Sequence, residues 1–176
     1  MAMSMTEIYD EILKDGGKTP SKKIQETSIR FPDKVAMRYK EFGVWQETTY
    51  EEFWKKSNYL SMGLKFFGIE KSDSVAIHSE NRPEWFISDL SIMLSNGITV
   101  PAYTTYIEKD YEYIIDDCRP SIVLFSNNEQ YQKIRNIISH KDFIKKIFCF
   151  DKSKEINNKD YLYLDDILEK TNLDYN

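Results

Sequence analysis

Glycine is scarce in this chain and badly placed for phosphate chemistry. The 176 residues include six, and only Gly16-Gly17 stand together. A neighbouring pair does not make a Gly/Ser/Thr-rich loop followed by Lys, whose amides cradle a polyphosphate, so it reads as a flexible link. Cysteine and histidine are rarer, at two each. Cys118 and Cys149, like His78 and His140, are too far apart for the short-range pairs of a zinc site. No Gly-x-Ser-x-Gly run is present to expose a nucleophilic serine, and neither histidine stands in a recognisable pattern with a Cys or Asp. His78 closes an apolar strand and reads as packed or hydrogen-bonded rather than as a base.

Long apolar runs are also missing. The longest weakly interrupted stretch, Trp85 to Leu94, contains Ser88, Asp89 and Ser91 and falls short of the roughly 18 apolar residues of a spanning helix. There is no basic excess: 24 Lys and Arg against 29 Asp and Glu give a net charge of −5, which excludes nonspecific binding to nucleic acid or to an anionic membrane. The start, Met1 to Thr6, lacks the basic and apolar regions of a secretory signal. With so few cysteines, the expectation is a reducing, cytoplasmic setting with two buried thiols.

What is present centres on Ser74 to Thr105. An apolar strand, Val75 to His78, enters a polar turn; Pro83 starts a helix carrying Trp85; Gly97 ends it before a second strand, Ile98 to Val100. This is a βαβ crossover, which joins parallel strands. Asn81 is placed to cap the helix, Glu84 to meet its dipole and Trp85 to anchor the core. The turn from Ser79 to Arg82 and the segment Pro101 to Thr105 both leave carboxyl ends of strands, the edge where α/β sheets bind ligands. Asn81, Tyr103, Thr104 and Thr105 are therefore the candidate cleft residues, with loop hydrogen bonding as their structural alternative.

Around this unit the signals are local. Residues 5 to 15 pattern as an amphipathic helix, and Pro20 to Arg30 as another. Val35 to Tyr39 and Val44 to Thr48 flank Glu41-Phe42-Gly43 as a hairpin across which Tyr39, Phe42 and Trp45 are expected to pack. Thr49 and Glu52 form a capping box opening a helix whose stripe is Phe53, Tyr59, Leu60, Leu64 and Phe67, closed by Gly68. Further on come a helix from Glu108 to Cys118, a strand from Ser121 to Phe125, a helix from Asn127 to Ile138 and a final strand from Lys146 to Phe150. Asp151 to Asn158 reads as a surface loop and Tyr161 to Leu168 as a short helix. The alternation from Val75 to Phe150 predicts three parallel-type strands with right-handed crossovers.

The run Asn81-Arg82-Pro83-Glu84-Trp85, then Gly97 and Val100-Pro101-Ala102-Tyr103-Thr104-Thr105, resembles the N-terminal part of the adenylate-forming acyl-CoA synthetases, especially the long-chain fatty-acid branch. Phe31-Pro32-Asp33, the segment Asp116 to Ser126 and Glu129 to Ile134 look like the same pattern, and the resemblance covers Ile24 to Ile138. It implies an α/β fold: an open, doubly wound, mostly parallel sheet with flanking helices and an N-terminal hairpin, as the first subdomain of a larger enzyme. The expected organisation is an arm over residues 1–19, the subdomain over 20–150, and a loop and short helix over 151–176.

Members of that family activate a carboxylate with ATP to an acyl-adenylate, release pyrophosphate and transfer the acyl group to coenzyme A. The resemblance thus implies ATP, Mg and CoA for a complete enzyme, with fatty acid as substrate. It places no catalytic residue, cofactor site or metal ligand within this chain, because the phosphate loop, the ribose-binding Asp and the C-terminal Lys belong to later sequence. The expectation is a chain that is inactive alone, with homodimer formation and peripheral membrane contact left open. The competing reading is a non-catalytic α/β module that binds a ligand or a partner.

Overall fold

The computed structural model describes residues 19–152 and 161–175. The helix expected over residues 5 to 15 and the Gly16-Gly17 link lie outside them. The first element, α1 (Pro20–Arg30), has Thr19 as its N-cap, accepting from the Lys22 amide, and Pro20 in its first turn. Strands β1 (Val35–Glu41) and β2 (Val44–Thr49) pair antiparallel through Phe42-Gly43, where both residues have positive φ (48° and 82°). Such a two-residue turn matches the twist of the strands it joins. Tyr39, Phe42 and Trp45 do not pack across the hairpin as expected: Phe42 is fully exposed, and the partner of Trp45 in register is Lys40, whose ammonium lies 5.4 Å from the indole. A two-stranded ribbon has no second layer to bury its tip.

The Thr49–Glu52 capping box is present in both directions and starts α2 (Tyr50–Phe66). Gly68, at φ +88°, turns the chain out of it. Then come β3 (Ser74–His78), α3 (Pro83–Leu94), β4 (Ile98–Ala102), α4 (Glu108–Cys118), β5 (Ile122–Phe125), α5 (Asn128–Ile138), β6 (Lys146–Cys149), β7 (Leu162–Tyr163) and α6 (Leu164–Tyr175). The five strands form a parallel sheet in the order β4-β3-β5-β6-β7. The alternation predicted three strands, but all four runs singled out as strand-like, from Val75, Ile98, Ser121 and Lys146, join the sheet, and β7 adds a fifth. This last strand lies where a helix was expected from Tyr161; a two-residue strand carries no alternation to read. The helix begins at Leu164 instead.

The sheet separates two apolar layers. On one face Leu60, Leu64, Val75, Ile77, Ile87, Leu90, Ile122, Leu124 and Phe148 pack with Leu164 and Ile167, from α2, α3 and α6. On the other, Ala76, Val123, Phe125 and Cys149 pack with Tyr111, Ile115, Tyr131 and Ile134, from α4 and α5. Strands buried on both faces are continuously apolar, which is why Ile122 to Phe125 carries no polar residue. Trp85 is only partly buried, at the margin of the first layer. Of the two thiols expected to be buried, Cys149 is and Cys118 is half-exposed, because its helix ends at the surface. Pro101 lies in β4, an edge strand, where its missing N–H is tolerated.

Candidate site at the carboxyl edge of the sheet

Numbered from its first member, the parallel sheet has the order 2-1-3-4-5. The connection from β3 goes to one side and that from β5 to the other, so the topological switch point lies between β3 and β5. The residues leaving these two strands are His78-Ser79 and Ser126-Asn127. The Ser126 amide donates to the His78 carbonyl (3.2 Å) and the Asp151 amide to the Ser126 carbonyl (2.9 Å), which ties the ends of β3, β5 and β6 together.

Three polar atoms buried at this crevice have no hydrogen-bond partner: His78 Nε2, Ser126 Oγ and Gln130 Oε1. Their residues are 2%, 0% and 7% exposed. On its other side the His78 ring is engaged. Tyr111 Oη lies 2.5 Å from His78 Nδ1 and also contacts the Tyr103 carbonyl. A carbonyl only accepts, so the phenol donates to Tyr103 and Nδ1–H donates to the phenol oxygen. That count assigns the tautomer and makes Nε2 the acceptor nitrogen; the Ala102 backbone and the Gln130 side chain also interact with the ring and favour its protonation, but burial outweighs them. Burial pushes the imidazole down to about 4, so it is neutral at physiological pH. Burial, with the charges of Tyr106 and Asp110, raises the Tyr111 phenol and keeps it a donor.

The four residues singled out from the sequence divide between two places. Asn81 is exposed and does not cap α3: Pro83 occupies the first turn, so the cap position falls to Arg82, which makes no side-chain cap bond. Asn81 instead lines a cavity of about 280 Å³ between the hairpin and the β3–α3 turn, with Met37, Arg38, Tyr39, Arg82, Pro83 and Phe86. Tyr103, Thr104 and Thr105 follow β4 and lead to α4, whose start is held by Asp110 reaching back to the Ile107 amide (3.3 Å). Tyr103 is 70% exposed, its carbonyl held by Tyr111 and its ring set edge-on to Tyr106. Thr104 is half-buried, with its carbonyl near Lys133 Nζ (3.5 Å), and Thr105 is exposed. Their hydroxyls are available at the edge, but the switch point itself is one strand away.

Arg82 was read from the sequence only as the end of the Ser79–Arg82 turn and a member of the Asn81–Trp85 motif, without a role of its own. Its guanidinium bonds Glu84 (2.6 Å) and Asp151 (2.8 Å), lies 3.6 Å from Glu80 and stands 5.8 Å from the Phe150 ring centre. Burial alone lowers its proton affinity, but the bonds to Glu84 and Asp151 outweigh burial and raise it. One side chain thus fixes the turn after β3 to the end of β6. With three carboxylates around it, Arg82 is engaged within the fold and is not a free anion receptor. A larger apolar cavity of about 400 Å³, lined by Met62, Gly63, Phe66, Phe67, Leu162 and Ile167, lies at the far end of α2 and has no part in this edge.

The glycines within the described residues are accounted for by the fold. Gly43 and Gly68 take positive φ, Gly63 lies against Ile167, and a Cβ on Gly97 would come 2.8 Å from Ile69. Gly63 and Gly97 border cavities singly, without the neighbouring glycines, serines and lysine of a phosphate cradle, and no cluster of three potential metal ligands occurs among the described residues. The residues present therefore do not fit a triphosphate and its magnesium, and no step through those groups follows from this chain.

An open parallel sheet with helices on both faces and a switch point between β3 and β5 defines a doubly wound α/β protein. Residues 24–170 match the AMP-binding enzyme family, and the chain belongs to it. It is 26% identical over 163 residues to the long-chain-fatty-acid–CoA ligase ACSBG1 of Bos taurus, covering 93% of this chain and 22% of that protein. To the long-chain-fatty-acid–CoA ligase ACSBG2 of Xenopus laevis it is 29% identical, covering 74% of this chain and 18% of that protein. The chain thus spans about a fifth of the curated relatives it matches. A crystal structure titled as a putative long-chain-fatty-acid CoA ligase from Rhodopseudomonas palustris superposes with a TM-score of 0.74 at 19% identity, covering 85% of this chain and 36% of that one. An anthranilate CoA ligase in complex with anthranoyl-AMP gives 0.75 at 20% identity, covering 84% and 27%. Both share the expected fold.

Proposed function

We propose that this chain is the amino-terminal part of a long-chain fatty-acid–CoA ligase, which makes acyl-CoA, AMP and pyrophosphate from fatty acid, ATP and CoA through an acyl-adenylate. The observation that carries the reading is the match to long-chain-fatty-acid–CoA ligases along 93% of the chain. In this role the chain supplies one wall of the substrate cleft. Asn81 and Tyr103 to Thr105 stand at its edge, and Arg82 and the Tyr111–His78 pair hold the loops that bear them. ATP, Mg and CoA are held by parts of the enzyme outside this chain, and the chain alone is inactive. Its setting is the reducing cytoplasm, consistent with two unpaired cysteines.

The competing reading, a self-sufficient binding module, calls for a surface without a contiguous apolar patch. The exposed Phe66 (70%), Leu162 (41%) and Met62 (39%) around the α2–α6 cavity support the part-enzyme instead. The test is to isolate the native polypeptide from its source cells with an antibody to this chain and to assay pyrophosphate exchange with ATP. Exchange that requires a long-chain fatty acid is expected of the native species and not of the purified 176-residue chain. A native species without any carboxylate-dependent exchange overturns the ligase reading; exchange by the chain alone overturns its inactivity.

A further inference from the structure

Asn96-Gly97 is the only asparagine–glycine pair in the chain, and the end of α3 calls for both residues. The helix closes in a Schellman turn: the Asn96 amide donates to the Met93 carbonyl (3.0 Å) and the Gly97 amide to the Ile92 carbonyl (2.9 Å). Asn96 takes φ +61°, a left-handed conformation that asparagine enters more readily than most residues with a side chain. Gly97 has no room for a side chain, since a Cβ there would lie 2.8 Å from Ile69 and 3.2 Å from the Asp73 carbonyl oxygen. The turn before β3 clamps this one in place. The Ser72 amide donates to the Asn96 carbonyl and the Ile98 amide to the Asp73 carbonyl, both at 2.8 Å.

We propose that Asn96 is a site of spontaneous deamidation that the folded turn holds shut. A glycine after asparagine puts no β-carbon in the way of its own backbone nitrogen, which can close on the asparagine side chain. In that step the Gly97 nitrogen attacks Asn96 Cγ and forms a C–N bond. The Cγ–Nδ2 bond breaks, and ammonia leaves with the proton that the Gly97 nitrogen gives up. Water then adds to either carbonyl of the cyclic imide and breaks a C–N bond, leaving an aspartyl or isoaspartyl residue at position 96. The brake lies in the backbone, because the Asn96 side chain is exposed. The attacking nitrogen is the donor of the Schellman turn, so its proton is held by Ile92, and the Ser72 bond to the Asn96 carbonyl keeps the peptide from rotating towards Cγ. The isoaspartyl product adds a methylene to the main chain, so Gly97 and Ile98 cannot both return to Ile92 and Asp73. Ageing at this site thus loosens the foot of the β3–α3–β4 crossover. The site is independent of the ligase reading, since its conversion is measured without turnover.

The experiment incubates the 176-residue chain at mildly alkaline pH, folded in buffer and unfolded in urea. Peptide mapping by mass spectrometry follows conversion at each asparagine, and hydrogen exchange follows the Gly97 amide. In urea, Asn96 is expected to convert before every other asparagine. In the folded chain its conversion should be slower by at least about tenfold, and by no less than the protection of the Gly97 amide from exchange, because attack and exchange both need that N–H released. Ile69→Ala removes the side chain packed on Gly97 and should speed conversion in buffer in step with the protection it costs, while the rate in urea stays the same. Equal rates in buffer and urea, a slowing smaller than the Gly97 protection, conversion in urea that begins at another asparagine, or protection lost in Ile69→Ala without faster conversion each overturns the proposal.

Discussion

Replacing Arg82 with alanine tests whether one side chain holds the carboxyl edge together. The substitution removes charge-assisted bonds to Glu84 and Asp151 and leaves Glu80, Glu84 and Asp151 facing one another. Such a bond contributes about 1.5–3 kcal/mol when buried. The Arg82 side chain is 23% exposed and those of Glu84 and Asp151 are 32% and 50% exposed, so solvent reduces each bond. About 1 kcal/mol apiece, with the released repulsion added, gives a loss of roughly 2–3 kcal/mol. For a chain of this size that lowers the melting temperature by roughly 5–10 °C. Urea unfolding of Arg82→Ala, Asp151→Ala and the double variant should return a coupling of about 1 kcal/mol between the two positions. Arg82→Lys should recover only part of the loss, because an ammonium cannot bond both carboxylates as a planar fork does. Wild-type stability in Arg82→Ala, within about 0.5 kcal/mol, or full recovery by lysine, would refute this account of the edge.

His78 gives a pH signature. Its folded form titrates near 4 against 6.5 in an exposed histidine, so the unfolded chain binds the proton first. Stability is full above pH 6.5 and falls as pH drops towards 4, by up to about 3 kcal/mol, and His78→Asn should flatten that window in urea titrations. Tyr111→Phe leaves the Tyr103 carbonyl and His78 Nδ1 without their partner; a cost of about 1–3 kcal/mol and a changed His78 nitrogen spectrum by NMR are expected. Gly63→Ala drives a Cβ into Ile167, and the overpacking of about 1–3 kcal/mol exceeds the helix-propensity gain of about 1 kcal/mol. In an Ile167→Ala background, Gly63→Ala should change sign and stabilise, as read by thermal unfolding.

Most of the fold could be read from sequence because its signals are local. Thr49 with Glu52 marks a helix start within a few residues of itself, and α1 and α4 run between the residues expected. The site was less legible because it depends on which strands become neighbours. Asn81 and Tyr103 to Thr105 were chosen at the ends of β3 and β4, strands adjacent in sequence, whereas the switch point pairs β3 with β5. The role of Arg82 within that turn was not legible, since its partner Asp151 follows β6 and only the finished sheet brings the two together. Asn81 missed the cap by one position because Pro83 fixes where the helix begins. His78 was expected to be packed or hydrogen-bonded, and it is both.

The two margins of the parallel sheet are chemically unequal. At β4, Pro101 takes one amide out of a five-residue border strand. At β7 the border strand is only two residues long, too short to template a partner along its length. Proline at one border and brevity at the other are thus two different defences against the same hazard, the pairing of this sheet with a stray strand.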